Sequence, residues 1–152
     1  MWYTKNMKLK IGDMAPQFSA TDQNNKVHVL SDYSGRWLVL YFYPKDFTSG
    51  CTVEAQKFRD AFQELNQKAA VVGVSADTIE SHEKFCSKYK LPFTLLSDTD
   101  KKMISGYGAD GLIFSRRVSF LIGPDGVIRK IYDKVDPEIH AEQILNDLNQ
   151  IE

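Results

Sequence analysis

The sequence has little of the material that several classes of protein require. Two cysteines among 152 residues are too few for a disulfide-stapled scaffold. A formal net charge of −1 provides no basic surface for nucleic acid. No apolar run approaches the roughly 18 residues that a membrane-spanning helix needs, and residues 1–10 lack the apolar stretch of a secretory signal. We therefore expect a cytoplasmic protein with reduced thiols, no nucleic-acid partner and no membrane attachment.

What the chain does contain is enough apolar material for a core. Hydrophobic residues make up 43% of the sequence, an ordinary share for a globular domain. A chain of 152 residues fits one domain and can bury a core. No internal repeat and no low-complexity linker divides it. The sequence predicts one domain over residues 1–152, in which residues 1–10 form a loosely held arm.

Short apolar runs alternate with helical periodicities along the chain. A β-hairpin is predicted at 18–30, where two short strands flank a polar turn. Further strands are predicted at 37–43, 69–76, 93–96, 117–122 and 127–132. Helices are predicted from residue 51 onward and at 79–89, 101–107 and 138–151. This order predicts an α/β fold with a mixed central β-sheet, helices on both faces and an N-terminal β-hairpin.

Cys51 stands where a strand has ended, a loop has turned and a helix begins. Pro44 ends the strand, because proline cannot donate to a sheet ladder. A free cysteine has a pKa of about 8.5, so only about 3% is the nucleophilic thiolate at neutral pH. Lowering such a pKa to about 6 takes roughly 3.4 kcal/mol, whereas a helix N-terminus contributes roughly 0.3–1 kcal/mol. A reactive thiolate therefore needs further stabilisation of its negative charge. Candidates for this are the Thr48 hydroxyl, the N–H groups of Gly50 and Cys51 and a nearby cation.

The residues around Cys51 resemble the active-site motif of the peroxiredoxins. Pro44, Thr48 and Cys51 form P-x-x-x-T-x-x-C, and the longer string Y-F-Y-P-K-D-x-T-x-G-C-T-x-E-A resembles the bacterioferritin-comigratory, or Q-type, subfamily. A second block, R-V-S-F-L-I-G-P-D-G from Arg117 to Gly126, is similar to a segment of the same subfamily. The resemblance implies a thioredoxin-like fold and a peroxidase that reduces hydrogen peroxide and organic hydroperoxides without a cofactor.

The resemblance also implies a role for individual residues. Cys51 would attack the peroxide and become a sulfenic acid. Thr48 and the Cys51 N–H would hydrogen-bond the peroxide oxygens, and Arg117 would supply a fixed cation. Pro44 would shape the loop and shield the thiol. Glu54 either orients Arg117 or caps the first turn of the helix, where acids are favoured in any case.

The second cysteine, Cys86, determines how the oxidised Cys51 would be returned to a thiol in a catalytic cycle. Many Q-type members carry a resolving cysteine five residues after the peroxidatic one, where this chain has Gln56; others carry it on the next helix, where Cys86 lies. The resemblance implies an intramolecular Cys51–Cys86 disulfide that thioredoxin or a similar dithiol reduces, in a monomer. Bridged Cα atoms must lie within about 7 Å, so we expect local unwinding. Two alternatives stay open: a one-cysteine peroxidase resolved by an external thiol, and a non-enzymatic redox sensor.

Other chemistries find less support in the sequence. Thr52, Val53 and Glu54 follow Cys51, so the Cys-x-x-Cys motif of thiol–disulfide oxidoreductases is absent. His82 and Cys86 stand four residues apart on a predicted helix, but no further Cys or His cluster completes a metal site, and no metal is expected. The remaining histidines are predicted to be solvated: His28 on a strand face and His140 on the last helix.

Overall fold

A computed structural model describes residues 8–151, and most of the predicted arm at 1–10 lies outside them. The strands of the described chain are β1 (Ser19–Asp22), β2 (Val27–Val29), β3 (Trp37–Phe42), β4 (Ala69–Ser75), β5 (Thr94–Ser97), β6 (Val118–Ile122) and β7 (Ile128–Tyr132). Its helices are α1 (Ser49–Lys68), α2 (Ile79–Tyr89), α3 (Lys102–Gly106) and α4 (His140–Asn149), with a 3-10 helix at Leu30–Tyr33. None of the helices between residues 8 and 151 has both the length and the apolarity needed to cross a lipid bilayer.

The seven strands form one sheet in the order β2-β1-β5-β4-β3-β6-β7. β4 pairs in parallel with both β3 and β5, whereas the other neighbours pair antiparallel. The antiparallel pair β1–β2 is the N-terminal hairpin. The mixed central sheet and its hairpin, both predicted from the sequence, are therefore confirmed.

Strand β3 lies in the middle of the sheet and is buried on both faces. From Leu38 to Phe42 no residue is more than 1% exposed. Side chains alternate along a strand, so Leu38 and Phe42 belong to one core cluster and Val39 to the other. The second cluster is completed by α1, α2 and α4, and the first by α3. Helices on both faces explain why the sequence of β3 is a continuous apolar run.

The edge of the sheet that lies across the strand ends, not along a strand, is where the ends of the central strands meet. β3, β4 and β5 run in parallel, so their carboxyl ends share this edge. β6 runs antiparallel to β3, with Val118 opposite Phe42, and therefore begins there. The loop 43–48, the first turn of α1 and Arg117 are brought together as a result. In open α/β sheets this edge is where ligand sites are usually built.

The solvated position predicted for His28 is wrong. Its imidazole is only 12% exposed and lies between a carboxylate oxygen of Asp22 at 2.7 Å and the Tyr33 hydroxyl at 2.8 Å. The 3-10 helix at Leu30–Tyr33 folds back over the hairpin and brings Tyr33 to this ring. The sequence analysis predicted no helix between the hairpin and the strand at 37–43, so this contact was not expected.

Candidate active site

Cys51 lies in the first turn of α1 and is 1% exposed. Thr48 is the N-cap residue, and the Thr52 N–H donates to its carbonyl oxygen at 2.9 Å. The N–H groups of Ser49, Gly50 and Cys51 precede this bond and have no acceptor within the helix. A helix N-terminus with unused N–H groups favours negative charge. The sulfur therefore sits beside the part of α1 that best accommodates an anion.

The loop before Cys51 has an unusual backbone. Phe47 has a φ of +68°, which a bulky residue rarely adopts. The Thr48 hydroxyl donates to the Lys45 carbonyl oxygen at 2.8 Å, and Pro44 is half-buried two residues after the end of β3. Residues held in such sparsely populated backbone regions cluster at functional sites, and Phe47 stands four residues before Cys51.

Arg117 directly precedes β6 and reaches across the edge of the sheet to α1. Its Nη1 donates to Glu54 Oε1 at 2.8 Å. Burial by itself would lower the pKa of Arg117, but negative charge on Glu54 and Cys51, with hydrogen bonds to both side chains, raises it above its ordinary value. A Cβ on Gly50 would lie only 3.0 Å from Nη2, so glycine lets the guanidinium approach the helix. The structure therefore brings Cys51, Arg117 and Glu54 together.

Glu54 is fully buried and follows Cys51 by three residues, about one turn along α1. Burial raises the pKa of Glu54 to about 7, although the charge of Arg117 and its hydrogen bond oppose the shift. Its Oε2 has no hydrogen-bond partner among the described residues. Of the two roles considered for Glu54, contact with Arg117 is the one for which the structure shows a hydrogen bond.

We expect the stability of the protein to fall as the pH rises through the range in which Glu54 ionises. A carboxyl with a pKa of 4.5 in the unfolded chain and about 7 in the fold binds more protons when folded. Its ionisation between pH 5 and 8 therefore removes up to about 3 kcal/mol from the free energy of unfolding. Urea denaturation at both pH values, in wild type and in Glu54→Gln, measures this loss. An equal pH dependence in the two proteins would contradict it.

A buried carboxylate, Asp46, holds the loop before Cys51 in place. It accepts hydrogen bonds from the Tyr43 hydroxyl at 2.6 Å, the Ser81 hydroxyl at 2.8 Å and His82 Nδ1 at 2.7 Å. Its own N–H donates to Asp77 Oδ2 at 2.8 Å. The sequence analysis missed this network. Asp46 stands in the motif P-K-D-x-T, which is the one signal that pointed to it.

Cys86 lies half-buried on α2, and both cysteines of the chain are free thiols. Burial, followed by the negative charges of Asp46 and Asp22, raises the pKa of Cys86 to about 12. Its carbonyl oxygen accepts the N–H groups of Lys90 and Leu91 where α2 ends. In this position the Cys86 thiol is a poor nucleophile.

His82 does not act with Cys86 as a pair of metal ligands. The imidazole is fully buried, and both ring nitrogens have oxygen partners: Asp46 at 2.7 Å and the Leu96 carbonyl oxygen at 3.0 Å. Ligand atoms of Asp46, Asp77 and His82 do lie within 4.8 Å of one another. These oxygens already accept hydrogen bonds from protein donors, so the grouping is explained without a metal.

The surface position predicted for His140 is wrong. The side chain is fully buried, with Nε2 2.8 Å from the Ser119 hydroxyl and Nδ1 3.2 Å from Gln143 Oε1. Burial lowers its pKa. Helix α4 begins at His140, not at residue 138 as predicted, and Ile139 is 54% exposed. The spacing of four residues from His140 to the buried Ile144 was the available signal.

Comparison with known proteins points to one family. The model described as the AhpC/TSA family matches residues 11–131. The putative peroxiredoxin bcp of Coxiella burnetii is 38% identical over 151 residues, which cover 93% of this chain and 100% of that protein. A solved PrxQ variant from Xylella fastidiosa is 34% identical, with a TM-score of 0.90 and coverage of 95% of this chain and 98% of that one.

A second solved structure is similar over slightly less of the chain. It is the bacterioferritin comigratory protein of Xanthomonas campestris, determined in work on its alkyl peroxide reduction activity. It is 30% identical, with a TM-score of 0.83, and the match covers 87% of this chain and 90% of that one. The thioredoxin-like fold predicted from the sequence is confirmed by these similarities.

Proposed function

The chain belongs to the AhpC/TSA family, as a thiol peroxidase of the bcp and Q type, and from this premise we propose that Cys51 is the sulfur that reduces the peroxide. The observation that carries the proposal is the position of Cys51. It lies at the N-terminus of α1, and the Arg117 guanidinium approaches the preceding residue, Gly50, and donates to Glu54. A fixed cation and unused backbone donors stabilise a thiolate.

In the first step the Cys51 thiolate attacks one oxygen of the peroxide. A sulfur–oxygen bond forms and the O–O bond breaks. The departing oxygen takes a proton and leaves as water or an alcohol, and the sulfur is oxidised to a sulfenic acid. Charge develops on the departing oxygen, and donors aimed at it lower the barrier. We assign this role to Arg117 and the Cys51 N–H.

The Thr48 hydroxyl has a more limited part in this step. A hydroxyl carries one hydrogen and accepts with its lone pairs. In the structure this hydrogen is donated to the Lys45 carbonyl oxygen. Thr48 is therefore free to accept the hydrogen of a hydroperoxide O–H, which orients the peroxide for attack by Cys51. Pro44 shields the sulfur from water at the start of the same loop.

We propose that Cys86 completes the cycle. Its thiol attacks the Cys51 sulfenic acid, a disulfide forms, and water leaves. Thioredoxin or a similar dithiol then reduces the disulfide to two thiols. The raised pKa of Cys86 supports the idea that the thiol reacts only after α2 has partly unwound. Sulfur carries all the electrons, so the cycle includes no cofactor.

The family membership also supports a proposal for the substrates, the cellular location and the oligomeric state. We propose hydrogen peroxide and organic hydroperoxides as substrates, and the alkyl peroxide activity named for the similar Xanthomonas protein supports the second class. A cytoplasmic monomer is the form we propose. The alternative is a cycle with Cys51 alone, resolved by an external thiol. A redox sensor with the same thiol would not consume peroxide catalytically when a reducing system is supplied.

Treatment with one equivalent of hydrogen peroxide distinguishes the two cycles. We expect mass spectrometry to find a Cys51–Cys86 disulfide in wild type, because the sulfenic acid has a thiol available in the same chain. In Cys86→Ser the same treatment is expected to leave a sulfenic acid on Cys51, trapped with dimedone. A stable sulfenic acid in wild type would instead establish the one-cysteine cycle.

A further inference from the structure

Helix α2 is joined to the loop before Cys51 by a buried pair of side chains, Asp46 and His82. Asp46 lies in the loop that leads to α1, and His82 lies one turn before Cys86 on α2. Their side chains meet at 2.7 Å, and each is at most 1% exposed. The pair therefore spans the two segments that carry the cysteines.

Each ring nitrogen of His82 and each carboxyl oxygen of Asp46 has a hydrogen-bond partner. His82 Nε2 faces the Leu96 carbonyl oxygen, which only accepts, so Nε2 is the donor there. His82 Nδ1 faces Asp46 Oδ2, and Asp46 also accepts from the hydroxyls of Tyr43 and Ser81. Loss of one partner leaves the other as a buried polar group without its hydrogen bond, which is unfavourable.

We expect disulfide formation to unwind one of the two segments or both, because bridged Cα atoms must lie within about 7 Å. Cys51 is buried in the first turn of α1, and Cys86 lies in the last turn of α2. Within an α-helix the N–H of Cys86 bonds to the carbonyl of His82. Unwinding of α2 near Cys86 thus disturbs His82, and unwinding near Cys51 disturbs Asp46. Unwinding of either segment is therefore expected to break the hydrogen bond between Asp46 and His82.

We propose that the Asp46–His82 pair holds α2 closed in the reduced protein and is broken when the Cys51–Cys86 disulfide forms. His82 is thereby a positioning residue that sets the balance between dithiol and disulfide. This inference rests on the proposed two-cysteine cycle. It assigns a function to the one buried imidazole that contacts the active-site loop in the described chain.

The midpoint potential of the disulfide couple tests the proposal. His82→Leu removes a contact that stabilises the dithiol form alone, so we expect the disulfide to become at least about tenfold more favoured, which makes the potential about 30 mV more negative. Asp46→Asn should shift it in the same direction, and the double variant should shift it no further than the larger single effect. Stopped-flow kinetics should show that His82→Leu accelerates disulfide formation by a larger factor than any change it causes in the rate of sulfenic acid formation.

The described chain contains a matched control in its N-terminal hairpin. His28 also bonds to an aspartate, Asp22, at 2.7 Å, but neither residue belongs to α2 or to the loop before Cys51. His28→Leu should lower stability and leave the potential unchanged. A wild-type protein that forms no Cys51–Cys86 disulfide overturns both this proposal and the two-cysteine cycle. A disulfide whose potential is unchanged in His82→Leu and in Asp46→Asn overturns the role of the pair alone.

Discussion

Replacement of Cys51 with serine is expected to abolish peroxide reduction, because the remaining thiol cannot take over. A serine hydroxyl is not nucleophilic at neutral pH, and the pKa of Cys86 is raised to about 12. At pH 7 only about one Cys86 side chain in 10⁵ is a thiolate, and it sits half-buried on α2. Peroxide consumption in the presence of a dithiol reductant is expected to fall to the background rate.

Cys86→Ser is the matched control for this experiment. It should keep the first turnover, in which Cys51 is oxidised, and lose only the steps that follow. Stopped-flow fluorescence separates the first turnover from the steady state. Peroxide consumption by Cys51→Ser above the rate of the reductant alone would show that the reacting sulfur has been assigned to the wrong residue.

Replacement of Arg117 with alanine is expected to lower the rate of Cys51 oxidation by roughly 10²–10³-fold. Removal of one preorganised donor from a site of developing negative charge typically has an effect of this size. Arg117 also holds the Glu54 carboxylate at 2.8 Å, so the single variant leaves a buried acid without its cation. Arg117→Ala combined with Glu54→Gln removes that complication, and the same fall in rate is expected in the double variant.

Arg116 is the control that the chain itself provides. It is adjacent in sequence and exposed, and its guanidinium donates to the Gly108 carbonyl oxygen, not to Glu54. Arg116→Ala should leave the oxidation rate within about twofold of wild type, since surface substitutions away from a site have small effects. Equal effects of the two alanine substitutions would remove Arg117 from the mechanism.

Local patterns in the sequence were enough to predict most of the fold. The apolar run from Trp37 followed by Pro44 predicted a strand buried on both faces, and β3 ends at Phe42, one residue before the predicted end. Helix α2 begins and ends at the predicted residues, Ile79 and Tyr89. In these segments burial, periodicity and end signals agree, so neighbouring residues carry the information.

Contacts between distant residues account for what the sequence did not reveal. His82 reaches Asp46 across 36 residues, and His140 reaches Ser119 across 21. In each case an imidazole is buried because another element supplies a polar partner, and a pattern read along one helix does not show that partner. Arg117 was placed beside Cys51 by family resemblance alone, and the roles of the site residues stay predictions.

The rate of Cys51 with hydrogen peroxide tests the account most directly. The measurement is the second-order rate constant of Cys86→Ser, which isolates the first chemical step, compared with that of free cysteine in the same buffer at pH 7. With Arg117, Thr48 and the N-terminus of α1 acting on the sulfur and the peroxide, we predict a rate constant at least about 10²–10³ times that of free cysteine. A rate constant no greater than that of free cysteine would contradict the assignment of Cys51 as a peroxide-reducing thiol.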